Sequence, residues 1–309
     1  MNAVRRRGFL YEIKKNAILY VMFFPVGLYF LIFNYIPMPG VIVAFKQFSY
    51  NGGIFGSEWN GWENFRYFFE SGKLVQVTFN TALYNLVFLA VSTVLSVLVG
   101  VLIAEMVGKY FKKIAQTVMF LPYFISWVTV SAFVYNIFSY DYGVLNNLLE
   151  FLGKEPIDIY SNPNIWMFLL PVFYVWKGIG FTSVLYLSAI MGIDQECYES
   201  ARIDGANVFQ RVWLITIPML KPTIIILLLL GISRIMRGEF DMFYQLIGDN
   251  GLLADKTDII DTLVFRSLVS MNDIGMASSA GLYQSVLCFI IILGANWAVK
   301  KFNRESALF

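Results

Sequence analysis

What the chain lacks limits the chemistry open to it. There is no histidine among 309 residues. That removes the commonest general base, the commonest metal ligand and any Ser-His-Asp triad together. Cys197 and Cys288 are too few for a zinc site. One falls on a polar helix and the other inside an apolar run, so they read as small buried hydrophobes rather than as a disulfide. No phosphate-binding Gly-x-x-x-x-Gly-Lys-Ser/Thr occurs: Gly72-Lys73, Gly108-Lys109 and Gly153-Lys154 lack both the upstream glycine and the following hydroxyl. The sequence therefore predicts no catalytic site, no metal site and no cofactor bound by the chain itself. Three groups remain. One is the polar segment Tyr198-Glu199-Ser200-Ala201-Arg202-Ile203-Asp204-Gly205-Ala206, followed by Pro218. A second is a pair of cations, Lys177 and Arg234, embedded in apolar sequence, with Glu239 and Asp241 as candidate acidic partners. The third is a set of aromatic and amide residues in apolar runs: Tyr84, Asn85, Trp127, Tyr135, Asn136, Tyr174, Trp176, Tyr244 and Gln284. These side chains can stack on or hydrogen-bond a polar solute, but they also serve as interface anchors and helix bridges.

The elements that hold these groups are membrane spans. Hydrophobic residues make up 58% of the chain and charged residues 14%, with a mean hydropathy of +0.64; a soluble domain carries roughly 25% charged residues. A helix needs roughly 20 apolar residues to cross a bilayer core of about 30 Å. Runs of that length occur at 16–36, 77–104, 114–138, 165–190 and 277–299, and another begins at Pro222. The first run follows Arg5, Arg6, Arg7, Lys14 and Lys15, yet it is too long for a signal peptide and has no small-residue cleavage site, so it reads as a retained span. The expected fold is all-α, a polytopic protein of six transmembrane helices, with residues 1–15 outside the bilayer and a polar connection at 191–221. A net charge of +2 gives no support for nucleic-acid binding.

Sidedness follows from lysine and arginine, which concentrate in cytoplasmic loops. With the N-terminus inside, fourteen of the 23 fall on the cytoplasmic side, among them Arg5–Arg7, Lys109, Lys112, Lys113, Arg202, Arg211, Lys300 and Lys301, against seven outside. This places the Tyr198–Pro218 segment in the cytoplasm. Lys177 and Arg234 each lie about 12 residues into a span, roughly 18 Å at the helical rise. An uncompensated charge there costs at least about 2.5–3.5 kcal/mol, so both must turn inward, toward acidic groups, carbonyls or a solute. On the opposite side, Trp62, Phe65 and Phe69 share one face of a short interfacial helix, residues 139–164 form an acidic connection with turn signals, and 238–276 is polar enough to cover the outer mouth.

The 198–218 segment reads as two short helices at an angle. Asp194 caps the first, whose Tyr198, Ala201 and Arg202 share a face; Gly205 ends it by taking positive φ; Asn207 caps the second, with Phe209, Val212, Trp213 and Thr216 on one stripe. The order Glu199, Ala201, Asp204, Gly205, Ala206, Ile215, Pro218 resembles the EAA loop of ATP-binding-cassette importer permeases, with Ser200 in place of the first Ala and Ile217 in place of a Leu. The likeness extends through Asn34–Gly40, Gly61–Phe65, Leu121–Trp127, Trp176–Gly180 and Asp261–Arg266, which are similar to permeases for complex carbohydrates. That resemblance implies a non-catalytic permease subunit of a bacterial cytoplasmic-membrane importer, one half of a heterodimer with a second permease. It would be served by two ATPase subunits that carry the ATP and Mg, and by an extracellular binding protein that delivers oligosaccharide cargo. It also implies that Glu199, Ser200, Ala201, Asp204, Gly205, Ala206 and Pro218 form the ATPase-coupling surface, and that the in-span aromatic, amide and charged residues line the cargo path.

Two alternatives stay open from the residues. One is an ATP-coupled permease for a non-sugar solute. The other is an ion-coupled secondary transporter, which calls for inverted repeats and deep acidic ion ligands; the sequence displays neither. The charge bias predicts that both termini are cytoplasmic. In a background lacking Cys197 and Cys288, Ala3→Cys and Ser306→Cys should both resist a membrane-impermeant thiol reagent in intact cells. Labelling of either from outside would overturn the topology.

Overall fold

A computed structural model describes residues 14–70 and 72–302. Arg5–Arg7, Arg304 and most of the 1–15 segment lie outside the described residues. The architecture is helical, with one two-stranded antiparallel ladder, β1 (Lys46–Gln47) against β2 (Glu58–Trp59). Among the described residues, five helices are long and apolar enough to cross a membrane: α1 and its continuation (Ala17–Phe45), α3 (Lys73–Glu105), α7 (Pro163–Met191), α9 (Val208–Ile232) and α12 (Ile274–Phe302). A bent pair, α4 (Lys109–Phe124) and α5 (Trp127–Phe138), meets at 92° and is together long and apolar enough for a sixth.

That bend corrects the expectation of one continuous third span over 114–138. Pro122 sits in the last turn of α4, Ile125 is extended, and Ser126 caps α5 by accepting a hydrogen bond from the Thr129 amide. A proline that removes a backbone donor, followed by a residue that starts a new helix, makes a corner rather than a gentle curve. The fifth span is also corrected. It does not begin at Pro222; α9 runs unbroken from Val208, and Pro222 lies in its interior. A π-turn at Val212–Thr216 precedes Pro218, whose ring would crowd the carbonyl four residues back in a regular helix. The outer segments hold more structure than turn signals revealed: α2 (Glu63–Glu70), α6 (Val144–Phe151), α10 (Phe240–Ile247) and α11 (Ile260–Val269). The face expected before and along α2 is divided, since Phe65 is buried under Phe45 while Trp62 and Phe69 are exposed.

The most extensive helix pair is α3 against α7, and α4 also packs closely on α7. Small residues allow both approaches. A Cβ on Gly100 would stand 3.1 Å from the Ser183 carbonyl oxygen, and one on Gly180 would stand 2.0 Å from that of Met119. Ser96 and Thr182 share a short hydroxyl–hydroxyl hydrogen bond across the first crossing. Toward the end away from α9's start, Phe88, Trp166, Leu170, Met242 and Phe243 form the main apolar cluster, and the indole of Trp166 donates to the Ile159 carbonyl at 3.0 Å. By contrast, α1 (Ala17–Phe30) buries none of its residues; the chain joins the bundle only at 38–45, where Val43 and Ala44 are buried.

The Gly180 contact gives a direct test. Gly180→Ala should displace α4 from α7 and destabilise the detergent-solubilised protein by about 1–3 kcal/mol. Gly178→Ala has no atom within 4 Å of its new methyl and should leave the thermal midpoint unchanged. Equal midpoints for both variants would show that the crossing is loose.

Candidate functional site

Two regions carry the residues singled out from the sequence: a helical elbow at one end of the bundle and a polar cavity deeper within it. The elbow is α8 (Gln195–Ile203), a turn, and the start of α9. Asp194 accepts a hydrogen bond from the Glu196 amide at 3.0 Å, beginning α8. The turn is a Schellman motif: the Gly205 amide donates to Arg202 O at 3.1 Å and the Ala206 amide to Ala201 O at 2.8 Å. Gly205 has φ of +80° and open space around its missing Cβ, so the backbone conformation alone demands glycine. Asn207 then forms a reciprocal capping box with Gln210, at 2.8 and 2.9 Å.

Side chains fasten this elbow to the bundle. The Tyr198 hydroxyl meets that of Thr216 at 3.0 Å, joining α8 to the π-turn, and Arg211 bonds Glu105 at the end of α3. Glu199, Ser200, Asp204, Gly205 and Pro218 are exposed, with Ala201 and Ala206 half-buried beneath them. The two expected faces are each divided. Tyr198 is buried while Arg202 is exposed, and Thr216 is buried while Phe209 and Trp213 are open to the surroundings. The elbow therefore presents a mixed surface: acidic at Glu199 and Asp204, apolar at Ile203 and Phe209.

The cavity measures about 470 Å³ and brings together Asn85, Tyr174, Arg234, Arg237 and Glu239 over the floor of Phe88. Arg234 does not sit on a helix; α9 ends at Ile232, and the chain turns through 233–236 before α10 begins. That turn exposes carbonyls, and neighbouring spans satisfy them. Asn85 donates to Ile235 O at 2.8 Å and Arg237 O at 3.0 Å, and Gln284 donates to Met236 O at 2.7 Å and to Asp261 at 3.0 Å. Asp261 in turn accepts from the Gly238 amide at 2.7 Å. Arg234 and Arg237 form no salt bridge among the described residues and both are exposed. Neither Arg237 nor Asp261 has a local sequence pattern that reveals its place here.

The remaining candidates are dispersed. Lys177 answers its charge with carbonyls, donating to Tyr123 O at 2.8 Å and Ile125 O at 2.6 Å, with Trp127 5.4 Å beneath it. It thus closes the open end of α4 at the bend, and does not pair with Asp241 or Glu239 in a salt bridge. Tyr84 is buried and its hydroxyl donates to Lys256 O, so it belongs to the core. Tyr135 bonds Tyr142, Asn136 returns to Ala132 O on its own helix, and Tyr244 packs between Phe240 and Phe265. Trp176 is 43% exposed and has a face available.

If Lys177 holds the bend, Lys177→Met should leave those carbonyls unpaired and lower stability by about 1–3 kcal/mol, whereas Lys177→Arg should retain most of it. The readouts are the thermal midpoint and the labelling rate of Ser126→Cys, which should rise with the methionine variant. No change in either would release Lys177 from this role.

Comparison with known proteins places this geometry. Residues 96–304 match the family described as binding-protein-dependent transport system inner membrane component. The chain is 34% identical to protein LplB of Bacillus subtilis (strain 168), over 95% of this chain and 92% of the relative. It is 31% identical to the polygalacturonan/rhamnogalacturonan transport system permease protein YteP of the same organism, over 98% and 94%. Among solved structures, a chain of a bacterial alginate ABC transporter in complex with alginate pentasaccharide-bound periplasmic protein aligns with a TM-score of 0.84 at 31% identity, covering 95% of this chain and 98% of that one.

Proposed function

The chain belongs to the family of binding-protein-dependent transport system inner membrane components, and on that footing we propose that it is one of two permease subunits in an ATP-driven bacterial importer of oligosaccharides. Its orientation in the cytoplasmic membrane puts both termini and the elbow on the cytoplasmic side, as the lysine and arginine distribution requires. The partners are a second, homologous permease, two ATPase subunits holding ATP and Mg, and an extracellular substrate-binding protein. Membrane lipid surrounds the spans. The names of YteP and of the alginate transporter support an oligosaccharide cargo.

The observation that carries this reading is the elbow. Its two caps and Schellman turn fix Glu199, Asp204 and Gly205 in one exposed, rigid projection. A projection of that kind suits docking in a groove of another subunit better than it suits solvation alone. When the ATPases close on ATP, paired elbows approach each other and the spans behind them turn the cavity outward; hydrolysis reverses the motion. The cavity offers Tyr174 and Glu239 to hydroxyls. Its two guanidiniums against one carboxylate also suit an acidic sugar.

The test uses the complex reconstituted with its second permease, ATPases and binding protein. Gly205→Val forces a branched residue to positive φ, a strain of about 1–3 kcal/mol, and should weaken ATPase recovery or abolish cargo-stimulated ATP hydrolysis while membrane insertion stays intact. Glu199→Lys should act likewise and Glu199→Gln more mildly. Full recovery and full stimulation in both severe variants would remove the coupling role.

A further inference from the structure

Arg211 stands at a junction that neither the family likeness nor the elbow's caps explain. It ends the first turn of α9 and is buried, with 10% of its side chain exposed. Nη2 lies 3.2 Å from Glu105 Oε2, and Nη1 donates at 3.3 Å to the carbonyl of Ala206, directly after the Gly205 turn. The backbone carbonyl of Arg211 accepts from Thr216, which holds Tyr198 of α8. One side chain thus joins the elbow's turn to the last residue of α3. Its Nε is buried with no hydrogen-bond partner, so the guanidinium is held for its contacts at the other two nitrogens.

The pair sits beside an apolar cluster that Val97, Val101 and Ala104 of α3 share with Val212, Ile217 and Leu220 of α9. An apolar gap of about 620 Å³ opens between this end of α3 and the start of α9, bordered by Leu98, Leu102, Phe209 and Trp213. Apolar packing is non-directional, whereas the ion pair sets a defined geometry between α3 and the elbow's turn. At its other end α3 carries Asn85, which holds the Ile235 and Arg237 carbonyls at the cavity. From Glu105 to Asn85 is 20 residues of uninterrupted helix, roughly 30 Å at the helical rise. A buried ion pair is weak as a source of net stability but exacting in geometry, which suits a link more than a brace.

We infer that the Glu105–Arg211 ion pair is the link through which displacement of the elbow moves α3, and through α3 the cavity. Arg211 and Glu105 are positioning residues; they touch neither cargo nor nucleotide. This rests on the proposed reading of the chain as an ATP-coupled permease. The elbow remains continuous with α9 without the pair, so ATPase docking survives its loss, while α3 keeps only apolar contact with α9 and follows less closely.

The experiment measures complex recovery, ATP hydrolysis and oligosaccharide uptake in proteoliposomes for Glu105→Gln, Arg211→Met, the neutral double variant and the charge-exchanged double Glu105→Arg/Arg211→Glu. Single variants strand a buried charge, so their recovery falls. The neutral double should recover wild-type assembly and hydrolysis, yet its uptake per ATP should drop about tenfold, within the usual range of coupling between sites. The exchanged pair should restore a substantial part of that ratio. Wild-type uptake per ATP in the neutral double would make the pair purely structural and overturn the inference. A neutral double and an exchanged double equally uncoupled would also overturn it, because the salt bridge itself would then not be the link. The wild-type complex separates the two levels: ATP hydrolysis without uptake of any oligosaccharide would defeat the importer reading before the variants are compared.

Discussion

Inside hydrocarbon a backbone carbonyl without a partner costs several kcal/mol, so a membrane chain can abandon helix only where something else supplies hydrogen bonds. This chain abandons it twice at depth, at Ile125–Ser126 between α4 and α5 and at 233–239 between α9 and α10. Both breaks are served by polar side chains from neighbouring spans. Lys177 of α7 covers the first; Asn85 of α3 and Gln284 of α12 cover the second. The inner architecture follows from that accounting. α7 must lie against the bend, α3 and α12 must flank the end of α9, and the glycines at 100 and 180 allow the close approach those bonds require.

The same accounting sorts the polar residues at depth. Lys177, Asn85 and Gln284 look alike from sequence: polar groups in apolar runs that call for a solute or a partner. Their donors are largely committed to carbonyls. What remains directed to open space is the set those bonds position, namely Arg234, Arg237 and Glu239 on the turn and Tyr174 on α7. A broken helix at depth is tolerated where it lines a cavity, and here the break creates the cavity's charged rim. The glutamate and the arginines come from one short stretch because a turn, unlike a helix, can direct successive side chains into one space.

The elbow was the most legible part of the sequence. Its signals are local: Asp194, Gly205, and Asn207 with Gln210 each act on backbone groups within a few residues, and the structure forms each of those caps. The apolar runs likewise revealed the spans, because bilayer thickness imposes their length. Less legible was whatever depends on distant residues. Near Pro122 the local signal for a corner is the cap residue Ser126, which is easily missed inside an apolar run; Pro171 and Pro222 lie in helices that absorb them, and the bend's free carbonyls are met by Lys177, 52 residues beyond Ile125. The start of α9 was set too late because hydropathy registers Arg211 and Lys221 as polar boundary. A π-turn and a buried ion pair instead carry the helix through. Arg237 and Asp261 give no local signal of their roles, which are set by a fold that brings 85, 237, 261 and 284 together.

The distribution of order has a mechanical consequence. A part that receives force must not dissipate it by local fraying, and the elbow meets that requirement with two side-chain caps, a Schellman turn and the Tyr198–Thr216 hydroxyl pair. A part that exchanges between states needs bonds that can be remade at low cost. Around the cavity the turn's carbonyls are held by two side-chain amides, those of Asn85 and Gln284, in place of a helical ladder. α1 is a third kind: its residues 17–30 are apolar and none is buried, so it contributes no packing that would resist movement of the bundle. Rigidity is thus concentrated at the elbow, and the adaptable contacts lie about six helical turns away along α3, a helix with no break between them. An unbroken helix is the stiffest connection available at that distance, and its two ends, Glu105 and Asn85, are held by side-chain bonds to the residues on which each region depends.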